Sequence, residues 1–344
     1  MQEVRLGKTE LVVSAVGFGG IPIQRCTEEE AVEVVKRCLD LGINFIDTAN
    51  IYGNSEERIG QAIAGRREGL ILATKSSARQ GPELRQHLEL SLKRLRVDHI
   101  DLYQLHCVSN FEDYKKSLAP GGPLDVVKEA QAAGQVGHIG ITCHSMEVAL
   151  EATQSGLFET MMFPFNFISD EAAEKLIPLA REHDVGFIVM KPMGGGLLEK
   201  ATVAFKYLRR FSDTVPIVGI ERPEEIEEII AVMEGDPQMT PAEEAEMERL
   251  RGQLGTRFCR RCGYCQPCPE GVPIQMMMIL ESMMKRMPAE SFFPKWGTEI
   301  VPQAENCVQC GECEEKCPYH LPIREMMEEH LALFHTQKEA LGFV

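Results

Sequence analysis

Residues 27–47 read TEEEAVEVVKRCLDLGINFID, and they hold one helix and the strand that follows it. Thr27 and Glu30 have the spacing of a capping box, in which a hydroxyl and a carboxylate satisfy the backbone N–H groups that open a helix. Apolar side chains then recur at helical spacing through Val34, Val35, Cys38 and Leu41. Gly42 ends the helix, and Ile43–Ile46 reads as a buried strand. The pattern repeats along the chain. Leu84, Leu88, Leu92 and Leu95 stripe a helix ahead of the strand-like Ile100–Leu105. Val13–Gly17, Leu70–Thr74, Val136–Ile141, Thr160–Phe163, Gly186–Met190 and Val215–Ile220 complete eight strand–helix units. Such alternation implies parallel strands with right-handed crossovers, and eight units favour a closed (β/α)8 TIM barrel. A hairpin around Gly7-Lys8 is expected ahead of the first barrel strand. The competing open sheet fits less well, because Gly17-Phe18-Gly19 meets Pro22 where GxGxxG needs its third glycine.

The rest of the 344 residues must be something smaller than the barrel. Gly235-Asp236-Pro237 marks an exit, which divides the chain into a barrel over 1–235, an acidic helical linker over 236–256 and a cysteine-rich domain over 257–344. Lys and Arg number 36 against 52 Asp and Glu, a net charge of −16. That balance argues against nucleic acid or a polybasic membrane anchor as partner. Residues 221–250 alone hold eleven acidic and two basic side chains, a pattern of solvated helix faces and helix N-termini. An acidic docking surface is the competing reading. No run of 18 apolar residues occurs, and Met1–Glu10 lacks the features of a signal peptide, so a cytoplasmic protein is expected. The sequence specifies no oligomeric state.

Eight of the twelve cysteines crowd the last quarter of the chain. Cys259, Cys262, Cys265 and Cys268 precede Pro269, while Cys307, Cys310, Cys313 and Cys317 precede Pro318. Val272-Pro273-Ile274 and Leu321-Pro322-Ile323 follow, so the block is an internal duplication. Its second copy matches the C-x2-C-x2-C-x3-C-P run of ferredoxins, whose fourth cysteine serves the other cluster. This predicts two [4Fe-4S] clusters in a small ferredoxin-like domain. One would be held by Cys259, Cys262, Cys265 and Cys317, the other by Cys307, Cys310, Cys313 and Cys268. The first copy is one residue shorter between Cys265 and Cys268. Structural zinc is the competing reading, but such sites usually come as two separated C-x2-C pairs. Met276–Met278, Met283, Met284 and Met287 suggest a methionine-rich helix packing between this domain and the barrel. Arg257, Arg260 and Arg261 could offset the anionic clusters or dock an acidic electron carrier.

Chemistry in such a barrel belongs at the C-terminal ends of its strands. Asp47 ends the second predicted strand, and Tyr52 follows in the loop. Lys75 ends the third and His106 the fourth. Each alone has a bland reading as a turn cap or a satisfied core residue, but an acid, a phenol, an ammonium and an imidazole on one rim make a reactive set. Phe18, Phe111 and Trp296 could line or cover it, while Cys38, Cys107 and Cys143 read more simply as packing.

Phe45-Ile46-Asp47-Thr48-Ala49 through Tyr52-Gly53, then Ser55-Glu56, resembles the signature of the aldo-keto reductase family, with Lys75 and His106 at its other catalytic positions. The resemblance covers about residues 1–235, and the cysteine block is similar to that of a bacterial and archaeal branch carrying a ferredoxin-like domain. It implies reduction of a small aldehyde or ketone by hydride from NADP(H) or NAD(H). Tyr52 would then protonate the carbonyl oxygen, Lys75 would lower a phenol pKa that is about 10 when unperturbed, Asp47 would hold Lys75, and His106 would hydrogen-bond the substrate oxygen. For the cofactor the resemblance points to Thr142, Cys143 and Met162 near the carboxamide, and to Lys191 after the seventh strand. Gly194, Gly195 and Gly219 suit phosphates, and Arg222 and Glu228 suit the adenosine end. Met190 stands where many members carry a tyrosine that stacks on the nicotinamide. Clusters pass single electrons whereas hydride carries two, so a redox role for them would call for a flavin or an external ferredoxin or flavodoxin-type partner. The rival functions are an electron-transfer protein and a cofactor-sensing subunit whose barrel binds nicotinamide or flavin without reducing carbonyls.

Overall fold

The computed structural model describes residues 1–343. It divides into two compact units: Met1–Gly194 with Leu198–Thr240, and Gly195–Leu197 with the chain from Pro241 onward.

The first unit opens with a hairpin of β1 (Glu3–Arg5) and β2 (Val12–Ser14), paired antiparallel with Val4 opposite Val13. Eight parallel strands follow: β3 (Gly17–Gly19), β4 (Phe45–Asp47), β5 (Ile71–Ser76), β6 (Ile100–Leu105), β7 (Val136–Thr142), β8 (Thr160–Pro164), β9 (Gly186–Met190) and β10 (Thr214–Gly219). They close as a barrel in the order β10-β3-β4-β5-β6-β7-β8-β9, with a helix after each. The helix Glu28–Asp40 begins at the Thr27 capping box, where Thr27 Oγ1 accepts from the Glu30 N–H at 3.2 Å and Glu30 Oε2 accepts from the Thr27 N–H at 2.8 Å. Its buried face is Ala31, Val34, Val35 and Cys38.

The first barrel strand departs from expectation. Val13 belongs to the hairpin, and the barrel begins at Gly17. A β-carbon on Gly17 would lie 2.8 Å from the Phe45 ring, so only glycine lets this strand close against its neighbour. Phe18, at the alternate position, is fully buried. Leu6 and Val13 from the hairpin join Phe45, Ala73, Leu102, Met162, Ile188, Val215 and Ile217 in the core cluster that fills the barrel. Each Leu, Val, Ile, Phe or Met side chain among them contributes about 1.5–3 kcal/mol by burial.

The second unit is built of short helices and the two cysteine loops, followed by a long helix, Ile323–Ala340. The two copies of the duplication each put a matched pair into its core, Val272 with Ile274 and Leu321 with Ile323. The Met-rich segment is two short helices, Ile274–Met277 and Leu280–Met284, broken at Ile279. Its methionines fill or pack against the core of this unit. Trp296 is 4% exposed in the same core, its ring 4.8 Å from that of Phe292. Aromatic composition alone could not assign it to one unit or the other.

Candidate active site and cysteine cavity

Parallel strands present all their C-terminal ends on one rim, and that is where the four rim residues meet. Asp47 is the last residue of β4, Lys75 the penultimate residue of β5, and His106 follows β6. The loop carrying Tyr52 is tied down at both ends: Asn50 N–H donates to Lys75 O at 3.0 Å, and Ser55 N–H donates to Tyr52 O at 2.9 Å. Ser55 Oγ donates in turn to Gly20 O at 2.7 Å. Lys75 Nζ donates to Asp47 Oδ2 and, at 2.7 Å, to Thr48 O. It stands 4.9 Å from the centre of the Tyr52 ring. The His106 and Tyr52 rings meet edge to face, their centres 5.9 Å apart.

The Lys75 and Asp47 side chains are only 2% and 3% exposed. Burial alone would lower the Lys75 ammonium, but the charges of Asp47 and then Tyr52 outweigh it and hold Lys75 above its ordinary value. Burial likewise works against the Asp47 charge, and Lys75 and Gln104 support it. Gln104 is a residue the rim reading missed. Its Nε2 donates to Asp47 Oδ1 at 2.8 Å, so both carboxylate oxygens are held. Register carries the signal that could have found it: Gln104 pairs with Lys75 across β5 and β6, two residues before His106.

Asp47→Asn should destabilise the barrel by about 3–5 kcal/mol, because it leaves a buried ammonium without its counter-charge. A lowered urea midpoint for the full chain is the expected result. An unchanged midpoint would mean that Lys75 is not held as a cation.

Most of the residues suggested for a cofactor lie at or just after the ends of β7, β9 and β10. Thr142 ends β7, and its Oγ1 accepts from the Cys107 N–H at 2.8 Å. Cys143 is buried, and burial pushes its thiol up to about 12. Met162 lies in the barrel core, 2% exposed. Lys191 follows β9 with φ +58°, and its carbonyl accepts from Asn166 Nδ2 at 3.0 Å. Gly194 has φ +59°. Gly195 falls in the second unit, where its carbonyl accepts from Ser282 Oγ at 2.8 Å. Gly219 ends β10, and Arg222 caps the helix Pro223–Glu234, on which Glu228 is exposed. That helix start is occupied by its own carboxylate. Glu225 accepts from the Glu221 N–H at 2.8 Å, from the Arg222 N–H at 3.3 Å and from the Arg222 guanidinium at 3.0 Å.

In the second unit, Cys268, Cys307, Cys310 and Cys313 line one cavity together with Cys265. Val272, Ile274, Ile323 and Met327 form its apolar wall, and Lys316 and Arg324 bring cations to it. Burial pushes the Cys265 thiol up to about 12, and Cys259, Cys262 and Cys313 add negative charge beside it. Crowded thiols in an apolar wall fit an iron–sulfur cluster, whose cationic irons hold ligating sulfurs deprotonated. No three His, Cys, Asp or Glu side chains among the described residues converge as they would on a single metal ion. Cys317 is buried nearby in sequence to Tyr319, whose ring lies 4.0 Å under the Arg260 guanidinium, so the first motif and the end of the second are brought together. Arg257 is committed to Glu325 and Glu329, and Arg260 to Tyr319 and backbone carbonyls.

Residues 15–214 match the aldo/keto reductase family, and residues 258–322 match a 4Fe-4S dicluster domain. Among curated proteins, the chain is 30% identical over 212 residues to the uncharacterized oxidoreductase YqkF of Bacillus subtilis, spanning 58% of this chain and 67% of that protein. It is 33% identical over 230 residues to YrpG of the same organism, spanning 58% and 68%. A solved structure from Pseudomonas aeruginosa described as an aldo-keto reductase superposes with TM-score 0.60 at 28% identity, covering 67% of this chain and 93% of that one. The holo form of an aldo-keto reductase from Bacillus halodurans shares the fold with TM-score 0.64 at 23% identity, covering 73% and 96%.

Proposed function

Because the chain belongs to the aldo/keto reductase family and carries a 4Fe-4S dicluster domain, we propose that this oxidoreductase reduces an aldehyde or ketone to an alcohol with a nicotinamide coenzyme. The observation that supports this most is the buried Asp47–Lys75 pair beside the Tyr52 ring, with His106 at that ring's edge. Tyr52 gives its phenolic proton to the carbonyl oxygen, and the nearby Lys75 cation stabilises the phenolate left behind. Asp47 keeps Lys75 charged and in place. His106 donates a hydrogen bond to the oxygen as negative charge builds there. When bound, the nicotinamide supplies the hydride to the carbonyl carbon. Thr142, Lys191, Gly194 and Gly219 are the rim residues that would hold it.

The Glu225 carboxylate favours NADH over NADPH. It already holds the Arg222 guanidinium and two N–H groups, and Glu221 pairs with Arg25 at 3.3 Å, so both arginines at this end are engaged by carboxylates and not by a 2′-phosphate. A lost charge-assisted contact costs about 1.5–3 kcal/mol, so kcat/KM should favour NADH by about tenfold or more. A comparable preference for NADPH would overturn this reading of the adenosine end.

For the cysteine block the reading is two [4Fe-4S] clusters with exchanged fourth ligands. Cys310 is exposed, so the cluster of Cys268, Cys307, Cys310 and Cys313 is the one a ferredoxin or flavodoxin-type carrier would reach. The overall test is carbonyl-dependent oxidation of NADH or NADPH by anaerobically purified protein over an aldehyde and ketone panel. Coenzyme that bleaches the clusters while no carbonyl is reduced would favour electron transfer instead, and bound flavin would identify the converter.

A further inference from the structure

Arg79, in the loop after β5, makes contacts that the proposed reaction has not used. Its guanidinium reaches across to the neighbouring loop, where Nη2 donates to His106 O at 3.0 Å and to Cys107 O at 2.8 Å. Nη1 donates to Ser77 O at 2.9 Å within its own loop, and Nε lies 3.2 Å from Asp113 Oδ2 on the helix Phe111–Leu118. One planar fork therefore joins the Lys75 loop, the His106 turn and the helix beyond. Lysine, with a point charge in place of a fork, cannot hold these acceptors together.

The turn that Arg79 holds is unusual. Cys107 has φ +55°, a left-handed conformation that costs a residue with a β-carbon roughly 1–2 kcal/mol. Such a conformation persists only where its surroundings over-determine it. Here the N–H groups are held by the flanking strands: His106 N–H donates to Ser76 O at 2.9 Å, and Cys107 N–H to Thr142 Oγ1 at 2.8 Å. The two carbonyls are held by Arg79. Both sides of the turn are pinned, and the imidazole of His106 leaves the backbone at that point.

We propose that Arg79 is a positioning residue that acts through His106, fixing the turn so that the imidazole meets the carbonyl oxygen beside Tyr52. The inference rests on the carbonyl-reductase reading. A displacement of about 1 Å at a reacting group costs on the order of 10²-fold in rate, so Arg79→Ala should lower kcat by about that factor with KM little changed.

The test is a double-mutant cycle of Arg79→Ala and His106→Ala in the full, cluster-loaded chain. If Arg79 acts through His106, adding Arg79→Ala to the His106→Ala variant should change kcat less than about twofold, because the two effects share one path. Equal losses in both backgrounds would overturn the proposal, as would an Arg79→Ala loss confined to KM. Arg79→Lys covers the case in which alanine fails to fold. It should keep the wild-type thermal midpoint while losing much of kcat, and full activity in the lysine variant would overturn the proposal. Amide exchange provides a readout free of turnover: faster exchange confined to residues 106–110 in the lysine variant is expected, and unchanged exchange there counts against the proposal. Wild-type protein that reduces no carbonyl would overturn the functional reading itself, and with it this one. Active wild type with additive losses would overturn only the role of Arg79.

Discussion

Tyr52→Phe is expected to lower carbonyl reduction by about 10²–10⁴-fold, the range for removing a positioned general acid. The substitution deletes one oxygen and leaves the ring. The edge contact with His106 and the approach of Lys75 both involve that ring, so the local packing should survive. Coenzyme binding and the thermal midpoint should therefore stay at wild-type values while turnover collapses. Fluorescence titration with NADH beside steady-state rates would separate the two. A variant that kept most of its rate would exclude Tyr52 as the proton donor, and would favour an electron-transfer protein whose barrel only binds a cofactor.

The second large effect concerns iron. With exchanged fourth ligands, Cys268→Ala should cost the cluster shared with Cys307, Cys310 and Cys313, so the chain should fall from about eight irons to about four. Cys310→Ala should remove the same four. The double variant is decisive, because two ligands of one cluster cannot each remove a different cluster. Anaerobic iron and sulfide analysis should find about four irons in the double variant as in each single one. Loss of all iron in the double variant, with half lost in each single variant, would assign Cys268 to the first triplet. Cys268 shares a cavity with the second triplet, and Cys265 of the first triplet lines it too, so the iron counts decide between the two arrangements. The short spacing after Cys265 leaves only two residues, Gln266 and Pro267, between it and Cys268.

Much of this architecture was legible from local patterns. The Thr27 capping box, the eight strand–helix units and the duplicated cysteine runs each depend on residues a few positions apart. The strands β6 and β9 run over the stretches the apolar pattern marks, Ile100–Leu105 and Gly186–Met190. Where the pattern misled, the reason was tertiary. Val13 is apolar enough for a barrel strand, yet it pairs with Val4 in the hairpin. Gly17-Phe18-Gly19 lacks the β-branched residues of a strand, because the barrel needs its backbone to pass close to Phe45. The methionines suggested one helix, and the fold breaks it at Ile279.

The candidate site divides in the same way. The sequence by itself determined which reactive groups stand at strand ends, since strand period and the rim rule are properties of consecutive residues. It likewise determined the eight thiols and their grouping in triplets, because those spacings are short. Only the tertiary structure decided how the groups are held. Gln104 supports Asp47 across 57 positions of chain, and Arg79 reaches His106 across 27. Contacts of that kind depend on strand register and on loops meeting from separate units of the barrel. A single side chain read in its own neighbourhood carries no mark of them.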